Sequence, residues 1–259
     1  LNFDTSLATR YKSKSQIARV LTENWVSENI FCPNCGEFLL GYENNKPVAD
    51  FYCSSCIEDY ELKSKQNFMG TKIVDGAYST MIDRLQSNKN PNFFFLNYDP
   101  KKFQVKNFIV IPKHFFSSEI IEKRKPLSPN TKRAGWVGCN ILMQSIPESG
   151  KIYFVKNQQF ESRNDVLKSW QKTLFLKESK TEQKGWLIDI IFCIEKLKKQ
   201  TFTLKDIYSF VPYLKTKHPE NNFIEDKIRQ QLQVLRDKGF LEFTSRGNYK
   251  LIDQLAISL

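Results

Sequence analysis

Two kinds of chemistry interleave between residues 32 and 63. Cys32 and Cys35 form one C-x-x-C pair and Cys53 and Cys56 a second, with seventeen residues between the pairs, a zinc-ribbon spacing. Each pair can bend two thiolates onto one ion, and four soft sulfurs around a tetrahedron suit Zn2+. Because four sulfurs leave no open position, such a zinc is structural. Disulfides or free thiols are the alternative reading of the same four residues. Around the second pair stand Pro47, Asp50, Glu61 and Lys63 in "KPVADFYCSSCIEDYELKSK". Asp50 and Glu61 offer hard oxygen ligands of the kind Mg2+ takes, and a lysine beside them can hold or help deprotonate a water and offset developing negative charge.

These residues need elements to carry them. We read "PVADFYC" and "DYELKSK" as two strands flanking the second cysteine pair, so that alternation puts Glu61 and Lys63 on one face and Leu62 toward the core. One Asp, ten residues, then Glu-x-Lys is the pattern of PD-(D/E)xK nucleases, in which Mg2+ polarises the scissile phosphate and acidifies a water. The pattern alone is weak, since Glu-x-Lys also occurs on solvated strands. The cysteines strengthen it: zinc would clamp the turn joining Asp50 to Glu61 and fix the carboxylates relative to each other. The upstream helix "SQIARVLTENWVSEN" (15–29) brings Glu23 as a further candidate ligand, with a plain surface role as the alternative. His114 and His218 stand far apart without a recognisable motif, which argues against a histidine-based metal nuclease.

The chain has 259 residues, 41% hydrophobic and 14% aromatic, enough for one large core and a small second one. Its 39 Lys and Arg against 28 Asp and Glu give a net charge of +11, which favours a polyanionic partner, nucleic acid first. The most apolar run, "NFFFLNY" at 92–98, is strand-sized and too short to span a membrane. The opening residues lack an apolar signal region and a cleavage site. A cytoplasmic protein without a membrane association is therefore expected, with no obligate protein partner evident. In a reducing compartment the isolated Cys139 and Cys193 read as small buried hydrophobes.

Strand-like runs mix with helical stretches, "DGAYSTMIDRLQS" (75–87) among the latter, up to the polar segment "FLKESKTEQKG" (175–185), which reads as a linker. We therefore expect an α/β (mixed α+β) domain over 1–182 and a second domain over 183–259. The second reads as helix, helix, helix, hairpin. "TLKDIYSFVPYLK" begins at Thr203, a suitable N-cap, and is interrupted by Pro212. The next helix opens with Asn222 as cap and Glu225 three positions on, and stops at Gly239. Ile224, Ile228, Gln231, Leu232 and Leu235 fall on its core stripe, leaving Asp226, Arg229, Gln230, Gln233 and Arg236 outward. A hairpin with Ser245, Arg246, Gly247 and Asn248 at its tip completes a winged helix, α+β in class. Arg pairs bidentately with guanine and Gln with adenine, so Arg229, Gln230, Gln233 and Arg236 are candidate major-groove contacts and Arg246 a backbone contact. A merely solvated polar face is the alternative.

The stretches "SQIARVLTENWV", "CPNCG", "ENNKPVADFYC", "ELKSK", "DGAYSTM", "NPNFFFL", "RAGWVGCNI" and "NNFIEDKIRQQLQVLRDKGFLEF" together resemble the DpnI-type family of methyl-directed type II restriction endonucleases, over essentially the whole chain. The resemblance implies a PD-(D/E)xK domain with an embedded four-Cys zinc site, then a winged helix. It implies Mg2+-dependent cleavage of double-stranded DNA at GATC when the adenine carries an N6-methyl group. By it Asp50, Glu61 and Lys63 hold the catalytic positions and Cys32, Cys35, Cys53 and Cys56 the zinc positions. Departures lie in the loop 65–72 and in the tail after Lys250. Burying one methyl group is worth about 0.8 kcal/mol, too little to spare unmethylated DNA, so two readers of one palindrome are expected to multiply the effect. Trp136 in "KRAGWVGCN" is the candidate aromatic wall, with a core role as its alternative. Alternative functions are a non-catalytic methylated-DNA reader, a zinc-ribbon and winged-helix transcription regulator, and an RNA nuclease.

Overall fold

Phe93, Phe94, Phe95 and Leu96 are each at most 1% exposed, because the run that carries them is a strand covered on both faces. The computed structural model describes residues 1–43, 49–87, 89–177 and 181–252. The chain divides into two units, Leu1–Gln144 with Gly150–Leu174, and Ser145–Ser149 with Phe175–Leu259.

The first unit runs α1 (Lys14–Asn29), β1 (Leu40–Gly41), β2 (Phe51–Tyr52), β3 (Asp59–Gln66), β4 (Lys72–Ala77), α2 (Tyr78–Gln86), β5 (Asn92–Asp99), β6 (Gln104–Ile111), β7 (Ile121–Lys123), β8 (Gly138–Leu142), β9 (Ile152–Lys156), β10 (Gln159–Phe160) and α3 (Arg163–Gln171). Seven strands form one sheet in the order β1-β2-β3-β5-β6-β9-β10. Only β3 and β5 are parallel within it, and β4 and α2 fill the crossover between them, as a parallel pair requires. A second, antiparallel sheet has the order β4-β8-β7. Helix α1 buries Leu21, Trp25 and Val26, and Trp25 meets Phe108 at 5.7 Å. Tyr60 lies flat on Phe94 at 4.6 Å, so β3 is anchored to the middle of this aromatic core. Cys139 and Cys193 are fully buried, as expected of small hydrophobes.

Several stretches differ from the sequence reading: within "PVADFYC" only Phe51–Tyr52 is strand among the described residues, and a helix begins at Thr181, inside the segment 175–185 read as a linker. Residues 75–87 were expected to be helical, yet Asp75 to Ala77 belong to β4 and the helix starts at Tyr78. Gly76 disfavours a helical start, and pairing with β8 gives this backbone its partners instead.

The second unit contains α4 (Thr181–Leu197), β11 (Thr201–Thr203), α5 (Leu204–Tyr208), α6 (Val211–Lys217), α7 (Ile224–Asp237), β12 (Leu241–Ser245) and β13 (Asn248–Leu251). The strands pair in the order β11-β13-β12, and β11, three residues long, was not foreseen. All five stripe residues of α7 are buried. The helix expected from Thr203 is two helices, because Pro212 has no N–H and opens α6 rather than continuing α5. Asn222 is not the cap of α7: Phe223 holds that position, Asn221 Oδ1 accepts from Phe223 N at 2.8 Å, and the Asn222 carbonyl oxygen of the side chain takes the Lys215 ammonium at 3.1 Å. Gly239, at φ +71°, ends the helix in the left-handed region. Residues 145–149 join this unit through the Glu195 carboxylate, which accepts N–H groups of Glu148 at 2.5 Å and Ser149 at 3.0 Å.

A capping box closes α5. Thr203 Oγ1 accepts from Asp206 N at 3.2 Å while Asp206 Oδ2 accepts from Thr203 N at 2.7 Å, and Lys199 donates to Asp206 Oδ1 at 2.8 Å. The Lys199 hydrogen bond, followed by those of Thr203, lowers the Asp206 pKa from 3.8 to about 2. A depressed carboxylate contributes stability in full above its unfolded value and loses it as pH falls through its folded value. Asp206→Asn is therefore expected to lower the melting temperature at pH 7, with the gap from wild type closing below pH 3.8 toward about 2, as followed by circular dichroism melts across that range. A gap that stays constant with pH would remove the charge from this account.

Candidate active site

Strand β3 alternates as its sequence requires. Tyr60 is fully buried and Leu62 packs against the same core, while Glu61 and Lys63 share the opposite face. The antiparallel pairing of Phe51 with Tyr60 sets Asp50 across from Glu61. Asp50 is tied down twice: its N–H donates to Tyr60 O at 3.0 Å, and its Oδ2 accepts from Leu62 N at 2.7 Å. Pro47, the first residue of the sequence pattern, lies outside the described residues. Glu23 comes from α1. Burial raises its pKa, the Arg19 guanidinium at 2.6 Å opposes that, and the Asp50 charge adds to the rise, so Glu23 and Asp50 share one electrostatic neighbourhood.

Lys63 is clasped between two carboxylates. Its Nζ lies 2.5 Å from Glu61 Oε1 and also pairs with Asp75 Oδ1 on β4. Burial alone would lower the Lys63 pKa, yet the charges of Glu61 and Asp75 outweigh it and raise that pKa above its ordinary value. Burial, with the Asp75 charge, raises the Glu61 pKa despite Lys63 and Arg84. Glu61 Oε2 is buried and accepts no hydrogen bond from the described residues, with Arg84 3.5 Å away. An under-coordinated buried carboxylate oxygen beside a second carboxylate fits a hard cation. Asp75 was missed by the sequence reading. Its one signal was alternation: it shares a strand face with buried Ile73, two residues before it, while Val74 between them is exposed.

The cysteines converge. Their four Sγ atoms lie within 4.8 Å of one another, with Cys32 to Cys56 and Cys35 to Cys53 both at 3.4 Å. Zn–S bonds of about 2.3 Å in a tetrahedron space sulfurs by about 3.8 Å, so this donor set fits one zinc. The two pairs fold alike. Gly36 N donates to Cys32 O and Ile57 N to Cys53 O, at 2.8 and 2.9 Å, with both donors at positive φ, +87° and +58°. Helix α3 pins the first pair: Arg163 donates to Gly36 O at 2.5 Å and Trp170 Nε1 to Asn34 Oδ1 at 2.9 Å. Glu58 pins the second, accepting from Asn92 at 3.0 Å and pairing with Lys113 at 2.9 Å. The Tyr60 hydroxyl stands 3.1 Å from Cys32 Sγ, placed to donate to a thiolate. Burial, then the neighbouring sulfur charge, holds that phenol well above its ordinary pKa, so it keeps its proton.

Trp136 is half-buried, not a core residue. The Arg133 guanidinium covers its ring at 4.6 Å, and a Cβ on Gly138 would meet the indole at 2.7 Å, so this approach requires glycine. In the second unit Arg229, Gln230, Gln233, Arg236 and Arg246 are all exposed. Two of the arginines are engaged: Arg229 with Asp226 and the Tyr208 hydroxyl, and Arg236 with Asp237 at 2.8 Å while lying over Phe243 at 4.6 Å. His218 hydrogen-bonds Asp189 at 2.8 Å and stacks on Trp186 at 3.7 Å, a packing role.

Two family models match the chain. The model DpnI, described as the Dam-replacing family, matches residues 1–179. The model of the Dam-replacing HTH domain matches residues 182–251.

The cysteine geometry generates a test. Cys53→Ser is expected to drop bound zinc from one ion per chain toward none, read by metal analysis after dialysis, and to lower the melting temperature. Tyr60→Phe should keep the fold but lower zinc affinity by about 10–100-fold against a competing chelator, the usual effect of losing a hydrogen bond to a ligand. A Cys53→Ser protein that is zinc-free yet melts like wild type would refute the clamp.

Proposed function

The chain belongs to the DpnI, or Dam-replacing, family, and from that premise we propose that it is a methylation-dependent type II restriction endonuclease. Its substrate is double-stranded DNA at GATC sites carrying N6-methyladenine, and its first unit is a PD-(D/E)xK catalytic domain. The observation that carries this reading is the convergence of Asp50, Glu61 and Lys63 on one short hairpin. No helix among the described residues is long and apolar enough to cross a membrane, and host or invading DNA in a bacterial cytoplasm is the site of action we assign.

Asp50 and Glu61, with Glu23 as a further candidate, would hold Mg2+, which when bound polarises a phosphoryl oxygen and acidifies an attacking water. Lys63 keeps its proton, because two carboxylates raise its pKa over the opposing effect of burial. It is therefore placed as a cation and hydrogen-bond donor toward charge developing on the phosphate. Arg84, near Glu61, adds positive charge on the same side. Cys32, Cys35, Cys53 and Cys56 hold structural Zn2+ and so set the hairpin's geometry.

The second unit is the DNA-binding HTH domain. Gln230, Gln233, Arg229 and Arg236 face the major groove, and Arg246 at the hairpin tip takes the backbone. Trp136 is the methyl-facing wall in the first unit.

Digestion of plasmid DNA from adenine-methylating and non-methylating hosts tests the activity. With Mg2+ only the methylated plasmid is expected to be cut, and Lys63→Ala or Asp50→Ala should abolish cutting in a chain that is less stable but still folds and binds duplex. Equal cutting of both plasmids would sink methyl dependence. No cutting of either would sink the nuclease, leaving a methylated-DNA reader or a regulator.

For the HTH domain, Gln233→Ala should remove a base-edge contact worth on the order of 1–3 kcal/mol and relax discrimination among sites. Arg246→Ala should weaken all duplexes alike and flatten the salt dependence of log K by about one unit. Binding isotherms on matched and mismatched duplexes at several salt concentrations separate the two. Identical behaviour of both variants would take the α7 face out of base reading.

A further inference from the structure

The catalytic lysine of the proposed reaction is held by a residue from outside its own sheet. Asp75 lies on β4, in the three-stranded sheet, yet its carboxylate pairs with Lys63 Nζ on β3 of the seven-stranded one. Its side chain is only 7% exposed, and a buried carboxylate is costly unless it is paired. Local backbone aims it. In the ladder with β8, Asp75 faces Cys139 and Ala77 faces Gly138, so Gly76 is the extra residue of a β-bulge. Bulges bend a strand and redirect the side chains beside them. The same turn is tied back by Cys139 Sγ, which lies 3.5 Å from Gly76 O, and by Tyr78 N, which donates to Val137 O at 3.0 Å.

Lys63 has four rotatable side-chain bonds, so a single partner on its own strand would fix only its reach. Glu61 supplies one contact at 2.5 Å. Asp75 approaches from another sheet, and two anchors in different directions fix the ammonium in space. We infer that Asp75 is the positioning residue for Lys63: it sets where Nζ stands relative to the Asp50 and Glu61 carboxylates, and it does not itself bind the metal. This rests on the nuclease reading for its catalytic consequence, but the Lys63–Asp75 coupling does not.

Two measurements test it. In thermal melts, Asp75→Asn should lower stability in the wild-type background, where it strips Lys63 of a partner. It should raise stability in a Lys63→Gln background, where Asp75 and Glu61 are two buried carboxylates without their shared cation. Equal destabilisation in both backgrounds would overturn the coupling. In single-turnover cleavage of methylated duplex, Asp75→Asn should slow the chemical step about 10–100-fold. The duplex Kd, taken with Ca2+ in place of Mg2+, and the Mg2+ concentration for half-maximal rate should both stay within about twofold. An unchanged rate overturns the positioning role, and so does a rate restored by excess Mg2+, which would make Asp75 a metal ligand. If wild type cuts no duplex at all, the nuclease reading falls, and the melts still decide whether Asp75 holds Lys63.

Discussion

Strand β2 is two residues long, and the rest of the candidate site depends on that shortness. Among the described residues only Phe51 and Tyr52 pair with β3, so the hairpin bringing Asp50 opposite Glu61 has a short ladder of its own. Side chains meant to act together must be held to about 0.5 Å, which two pairs of backbone residues cannot do. Within the hairpin Asp50 adds its bonds to Tyr60 O and Leu62 N, and the rest of the constraint is met from outside it. The cysteine pairs draw residues 32–35 and 53–56 onto a common point, α3 fixes the first pair through Asn34 and Gly36, and Glu58 ties the second to Asn92 and Lys113. Tyr60 then joins the two jobs in one residue. Its hydroxyl meets Cys32, its carbonyl takes the Asp50 N–H, and its ring lies on Phe94 in the core. The same logic explains Ile57. A β-branched residue at φ +58° costs of order 1–3 kcal/mol, where Gly36 fills the equivalent position of the first pair without strain.

Electrostatics decides what Lys63 can do. Desolvation and two anionic neighbours push its pKa in opposite directions, and the neighbours win. The ammonium form of a lysine so placed is favoured by the carboxylates around it. Glu61 is the mirror case: burial, reinforced by Asp75, outweighs the pull of Lys63 and Arg84. Each group is thus kept from its ordinary behaviour by the others, and three charges in partial burial act as one unit.

Legibility in the sequence followed the range of the interaction. The cysteine pairs and Glu61-x-Lys63 were readable because their chemistry demands fixed local spacing: two thiolates need one turn, and two side chains on one strand face need an interval of two. The buried stripe of α7 was readable for the same reason. Asp75 was not, since its role arises from a bulge opposite Gly138 and from the approach of a second sheet, neither of which leaves a local pattern. The "DGAYSTM" stretch even carried a helical signal that belongs only to its second half. Capping failed on a finer scale. The N-cap of α7 is Phe223, with no side-chain cap: Lys215 engages the Asn222 side chain, and Asn221 Oδ1 accepts from Phe223 N, ahead of the helix. Membership of the DpnI family over residues 1–179 supplies what no spacing could.

The proposed methyl dependence has to be reconciled with the energy of one methyl group. Burying it yields about 0.8 kcal/mol, roughly fourfold in affinity, and a genome offers vast numbers of competing sites. A wall that merely touches the methyl cannot bridge that gap, so geometry must convert contact into rejection. Trp136 has suitable properties for it: Arg133 lies over one face and Gly138 permits a backbone approach no other residue would allow. In the proposed role, a ring that did not shift to fill the space left by a missing methyl would leave a void whose lining loses its dispersion contacts outright. Even so, one such contact multiplies affinity only by a modest factor. A palindrome presents a methyl on each strand, and a second reader on the exposed face of α7 would multiply the factor again. Discrimination by products of small factors requires that every reader be rigid, because any that can relax contributes nothing. That requirement is consistent with how much of the first unit is devoted to immobilising short segments: two cysteine turns tied by α3 and Glu58, and a two-residue strand.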